Sequence, residues 1–143
     1  MKLVDANVLL YAVNTDAEHH EQSRRWLDRA LSGYDSIGFA WLPLLAFIRL
    51  STRPTLFANP LNVAAATAQV EQWLGAPGSV VVQPGPLHAG HVHRLLNAVG
   101  IGGNLVNDAH LAALSLEHRG TVVSYDNDFD RFPGVRWRMP GSE

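Results

Sequence analysis

Short apolar blocks alternate along the chain with longer stretches in which apolar residues return at helical spacing. The first block, KLVD at 2–5, ends on an acid and runs into NVLLYAV, which fits the opening turns of a helix. AEHHEQSRRWLDRAL at 17–31 sets Trp26, Leu27, Ala30 and Leu31 on one face and then meets Gly33, a stop signal. SIGFA at 36–40 reads as a strand, and LPLLAFIRLST at 42–52 as a helix with Pro43 near its first position. Beyond the turn-rich RPTLFANP, Asn59 and Pro60 stand as cap and first position of a helix through Leu74, with Val63, Val70, Trp73 and Leu74 on its buried side. SVVVQ at 79–83 has the composition of a fully buried strand. PLHAGHVHRLLNAV at 86–99 lines up Val92, Leu95, Leu96 and Val99, and GIGG at 100–103 forms a junction to the helix NLVNDAHLAALSLEHR at 104–119, ended by Gly120. TVVSY at 121–125 is a fourth strand and VRWRM at 135–139 a short fifth.

Strands separated by helices need crossover connections. The pattern therefore predicts an α/β fold of three layers, a central mostly parallel sheet of about five strands with helices on both faces. At 143 residues and 47% hydrophobic, the chain suits one compact domain, 1–143, and is short for two.

Composition then removes several classes of function. With 11 Lys+Arg against 13 Asp+Glu there is no overall basic excess of the kind that marks many nucleic-acid binders, although a local patch is enough to bind. No cysteine is present, which excludes disulfides, thiolate metal sites and cysteine nucleophiles. The start lacks an uninterrupted apolar segment, and no stretch approaches the roughly 20 apolar residues that span a bilayer, so a soluble, cytoplasmic protein without a membrane role is the expectation.

Acids gather where a parallel sheet binds ligands, beyond the carboxyl ends of its strands at the point where strand order reverses. Asp5 follows the first strand, and Asp126 and Asp128 follow the fourth. If those strands are neighbours, the carboxylates meet. Asp108 joins them, since Leu105 and Ala112 give its helix face an apolar character that a carboxylate does not share without a partner. Like charges converging in a half-buried place raise one another's pKa unless a cation neutralises them, and Mg²⁺ or Mn²⁺ suits an all-oxygen donor set. Each acid also has a plainer reading: Asp5 as a helix N-cap, and Asp126 to Asp130 as a solvated turn.

Other readings fail on particular residues. A calcium loop counted from Asp126 has Arg131 at its sixth position, where glycine belongs, and Trp137 at its twelfth, where glutamate belongs. Phosphoaspartate folds need a late lysine, and the only lysine is Lys2. Gly100, Gly102 and Gly103 have no strand before them and no GK[ST] after, so neither nucleotide fingerprint holds. His88, His91 and His93 invite a zinc reading, but 93 turns away from the other two on a helix and no inward carboxylate is evident, so these, like His19 and His20, read as surface or core-edge residues.

With VDANVLLYA, NLVNDAHLAALSLEHRG and TVVSYDNDFDRFPG identified as the acid-bearing segments, the chain resembles a PIN-domain ribonuclease, in particular the VapC-type toxins of bacterial toxin–antitoxin pairs. The resemblance rests on Asp5 with Asn7, on Asp108 in DAHLAALSL, and on Ser124, Asp126, Asp128 and Phe129 in the last segment. It implies a PIN-like fold and metal-dependent endonucleolytic cleavage of RNA that leaves a 5′-phosphate. Asp5, Asp108 and Asp126 would be metal ligands, with Asp128 completing the catalytic pocket. Asn7 and Ser124 would hold the carboxylates by hydrogen bonds. A cognate VapB-type antitoxin and a homodimer built from helices such as 60–74 are further implications. For the RNA backbone, Arg49, Arg53 and Arg131 are the candidate contacts, each with a plainer reading as a solvated arginine or the partner of a neighbouring acid. One departure matters. The family usually carries a Glu in the helix after strand two, and the matching position here is Ala46. The competing reading is a PIN-like module that binds RNA or protein without cutting.

Overall fold

The computed structural model describes residues 1–142. Its elements follow the order β1 (Lys2–Val4), α1 (Ala6–Val13), α2 (His20–Arg29), β2 (Ile37–Phe39), α3 (Trp41–Ser51), α4 (Val63–Leu74), β3 (Ser79–Val81), α5 (His88–Val99), α6 (Leu105–Glu117), β4 (Thr121–Val123) and β5 (Trp137–Arg138). A π-helical turn, Ala30–Tyr34, extends α2 until Gly33, whose φ of 103° no side-chain-bearing residue adopts easily, turns the chain toward β2. A 3₁₀ turn, Asn127–Arg131, follows β4.

The strands form one sheet in the order β3-β2-β1-β4-β5, and every pairing is parallel. Leu3 pairs with Val122, and Val4 with Val123. Because successive strand residues face opposite sides, Val4 and Val123 join one core with Val8, Leu9, Leu44, Phe47, Val70 and Trp73 from α1, α3 and α4. Leu3 and Val122 join the other, with Leu95, Ala109, Ala112 and Leu114 from α5 and α6, and with Phe129. The result is the three-layer arrangement that the alternating pattern predicted.

Two local expectations are corrected. The helix expected from Asn59 and Pro60 begins three residues later: Asn62 is the cap, its Oδ1 accepting from Ala65 N at 2.7 Å, and Val63 is exposed at the first helical position instead of buried. Leu61 N donates to Ser51 O at 2.9 Å, which holds the chain extended just where the helix was expected to start. The strand in SVVVQ is not fully buried either. β3 is an edge with β2 as its only neighbour, so Val80 and Val81 are exposed and only Val82 packs inward. No helix among the described residues is long and apolar enough to cross a membrane.

Candidate active site

β1 and β4 are adjacent at the point where strand order reverses, so the residues leaving their carboxyl ends meet. Asp5 serves both of its readings at once. Its Oδ1 accepts from Ala6 N at 2.7 Å as the cap of α1, while its Oδ2 accepts from Ser124 Oγ at 2.7 Å. Ser124, fully buried, also accepts from Asn7 Nδ2 at 3.0 Å and from Asp126 N at 2.9 Å, and Tyr125 N donates to Asn7 Oδ1 at 3.2 Å. A serine and an asparagine thus tie the ends of the two strands together and fix two of the acids. Asp126 in turn accepts from Asp128 N at 2.9 Å and caps the 3₁₀ turn, while Phe129 plugs that turn into the core. Asp130, on the outer side, is exposed and accepts from Trp137 Nε1 at 2.5 Å.

Asp108 reaches the same place from the first turn of α6. One carboxylate oxygen from each of Asp108, Asp126 and Asp128 lies within 4.8 Å of the other two. This close group contains Asp128 where the sequence reading placed Asp5, because Asp5 is held to Ser124 and to the start of α1. Burial first, and then the charges of Asp5, Asp126 and Asp128, push the Asp108 carboxyl up to about 7. Asp5 is also raised, by burial, against the opposing effect of its bonds from Ser124 and Ala6. Four carboxylates crowded into one half-buried place, with oxygen as the only donor type, are chemically matched to a hard divalent cation.

All four acids line one cleft of about 290 Å³. Its second wall is α3, through Leu42, Pro43, Ala46 and Arg49. Asn104, Asn107 and Leu111, which the sequence reading had not singled out, line it too. The signal was present, since 104, 107, 108 and 111 share one helical face. Arg131 Nη1 stands 4.0 Å from Asp128 Oδ1, whereas Arg53 lies outside the cleft lining.

The histidines form no zinc set with one another. His88 Nε2 is 2.9 Å from His110 Nδ1, and His91 Nδ1 is 2.7 Å from Arg94. A carboxylate is nonetheless at hand, contrary to the sequence reading: Glu117 lies 4.0 Å from His88 Nδ1. Its oxygens accept from Gly85 N and Leu87 N and clamp the loop before α5. That contact depends on α5 packing beside α6, which spacing along one helix does not reveal. His19 stacks on Tyr125 with ring centroids 4.4 Å apart.

A family model described as PIN domain matches residues 2–135. Ribonuclease VapC37 of Mycobacterium tuberculosis is 63% identical over 140 residues, 98% of this chain and 97% of that protein. Ribonuclease VapC31 of the same species is 39% identical over 98% of this chain and 99% of its own. Among solved structures, VapBC2 from Rickettsia felis bound to a DNA fragment from their promoter superposes with a TM-score of 0.71 at 17% identity, covering 96% of this chain and 97% of that one. VapBC-1 from nontypeable Haemophilus influenzae gives 0.69 at 15%, covering 96% of each.

Proposed function

The chain belongs to the PIN-domain family, and on that premise we propose that it is the toxin of a VapBC-type toxin–antitoxin pair, an endoribonuclease that hydrolyses RNA phosphodiester bonds. The observation that carries this reading is the convergence of Asp108, Asp126 and Asp128 at the switch point of the sheet, with Asp108 pushed up to about 7 by burial and by its neighbours' charges. Asp108, Asp126 and Asp128 would supply oxygens to a Mg²⁺ or Mn²⁺ ion, and Asp5 would add its charge from the same cleft. The ion, when bound, lowers the pKa of a coordinated water and stabilises charge on the phosphoryl oxygens. Asn7 and Ser124 keep Asp5 and Asp126 from turning away. Arg49, Arg53 and Arg131 hold the RNA backbone at the rim, offsetting the repulsion of an acidic pocket. The reading extends to a single PIN-like domain in the cytoplasm, products with a 5′-phosphate, a homodimer and a cognate VapB-type antitoxin.

The test is incubation of the chain, purified free of any antitoxin, with structured RNAs across a range of Mg²⁺ and Mn²⁺, beside Asp5→Asn and Asp108→Asn. Cleavage by the wild type alone, and only with metal, is the expected outcome. Cleavage that ignores the metal or the two substitutions overturns the mechanism. Ala46, an inert side chain in the cleft wall, favours one second reading, a module that binds RNA or protein without cutting. RNA that is bound but uncut even at high Mn²⁺ selects that alternative.

A further inference from the structure

The two walls of the cleft differ in charge. Asp5, Asp108, Asp126 and Asp128 come from the residue after β1, from α6 and from the turn after β4, while α3 contributes Leu42, Pro43, Ala46 and Arg49 and no acid. Among the described residues, Asp108, Asp126 and Asp128 form the only group of three or more side chains close enough to share an ion. Two-ion phosphoryl-transfer sites hold their ions about 3.5–4 Å apart, one on the attacking oxygen and one on the leaving oxygen. Ala46, in the α3 wall of the cleft, offers no side-chain oxygen to an ion. Arg49 stands on the same face, one helical turn beyond Ala46. It is exposed, and its guanidinium has no hydrogen bond or ion pair among the described residues, although four carboxylates line the same cleft. An arginine that lines an acidic cleft without closing onto any acid leaves room between itself and them for an anion.

We infer that the site works with one divalent ion and one arginine, and that Arg49 is a catalytic residue that grips the non-bridging oxygens of the scissile phosphate where a second ion would otherwise act. The inference rests on the ribonuclease reading above. A guanidinium suits the task because its planar fork meets two phosphate oxygens at once and stays charged at every working pH. In the hydrolysis a water oxygen bonds to phosphorus as the bond from phosphorus to the ribose 3′ oxygen breaks. The water's proton is lost to solvent, the 3′ oxygen takes one up to leave as a hydroxyl, and no electrons change hands. Charge on the phosphoryl oxygens peaks between these events, so Arg49 acts more strongly there than on bound substrate.

The experiment compares wild type, Arg49→Ala and Arg49→Lys in three measurements. Calorimetric titration with Mn²⁺ is expected to give one ion per chain for all three proteins, with affinities alike. Single-turnover cleavage is expected to slow by about 100-fold in R49A, with R49K between, while RNA affinity changes by no more than about fivefold. A short RNA bearing a 5′-phosphate, measured in Ca²⁺, is expected to lose about tenfold in affinity in R49A, and its 5′-hydroxyl counterpart nothing. Two ions on the wild type, R49A cutting at the wild-type rate, or a loss confined to RNA affinity each overturns the role of Arg49 and leaves the nuclease reading standing. A wild type that binds no divalent ion and cuts no RNA overturns both.

Discussion

Asp108 is a residue whose chemistry its surroundings change strongly. An isolated aspartate ionises near 3.8, and here the carboxyl is held up to about 7. Between those values the folded metal-free protein holds a proton on Asp108 that the unfolded chain does not, so the contribution of Asp108 to stability falls as pH rises from about 4 to about 7 and levels off above. Melting of the metal-free protein is expected to show that slope, with Asp108→Asn flattening it and melting above the wild type at pH 8. Asp5, raised in the same direction, leaves a residual slope in the variant. Added Mn²⁺ competes with the proton, so its apparent affinity in a calorimetric titration is expected to fall about tenfold per unit below pH 7. Ser124 offers a second test at this scale. It is buried and joins Asp5, Asn7 and Asp126, so Ser124→Ala leaves several groups short of a partner and is expected to cost about 1–3 kcal/mol in urea unfolding. Asp5 was readable in the sequence because it directly follows a strand. Its simultaneous work as a cap and as Ser124's acceptor was not, because the second contact crosses 119 positions of chain.

Helix faces were legible where the apolar stripe was long. Trp26, Leu27, Ala30 and Leu31 are all buried, and Leu95 and its neighbours pack under α5. Helix starts were less so. Asn59-Pro60 and Asn62 both look like caps, and what decides between them is a hydrogen bond from Leu61 to Ser51, a tertiary contact with no local signature. Asn62→Ala is accordingly expected to cost about 1 kcal/mol in denaturant unfolding, and Asn59→Ala close to nothing. For β3 the apolar composition signals a strand, and the full burial it suggests does not follow. Position within a sheet is set by pairing order, and a run of valines says nothing about which neighbours it has.

Across the whole molecule, the sequence reading had the acids meeting only on condition that the first and fourth strands were neighbours, and the order β3-β2-β1-β4-β5 meets that condition. The same order divides the site between the two extremes of the chain. Asp5 is made before the other three acids, whereas Asp126, Asp128 and the serine that fixes Asp5 arrive only after β4, which also completes the pairing of β1. A chain stopped at Gly120 is therefore expected to bind no Mn²⁺ in a calorimetric titration, even though it carries Asp5 and Asp108. During synthesis, everything from β1 to α6 is made before the acids can be brought together. For a PIN-domain chain, strand order thus sets when the acids can first meet: not before β4 has paired with β1.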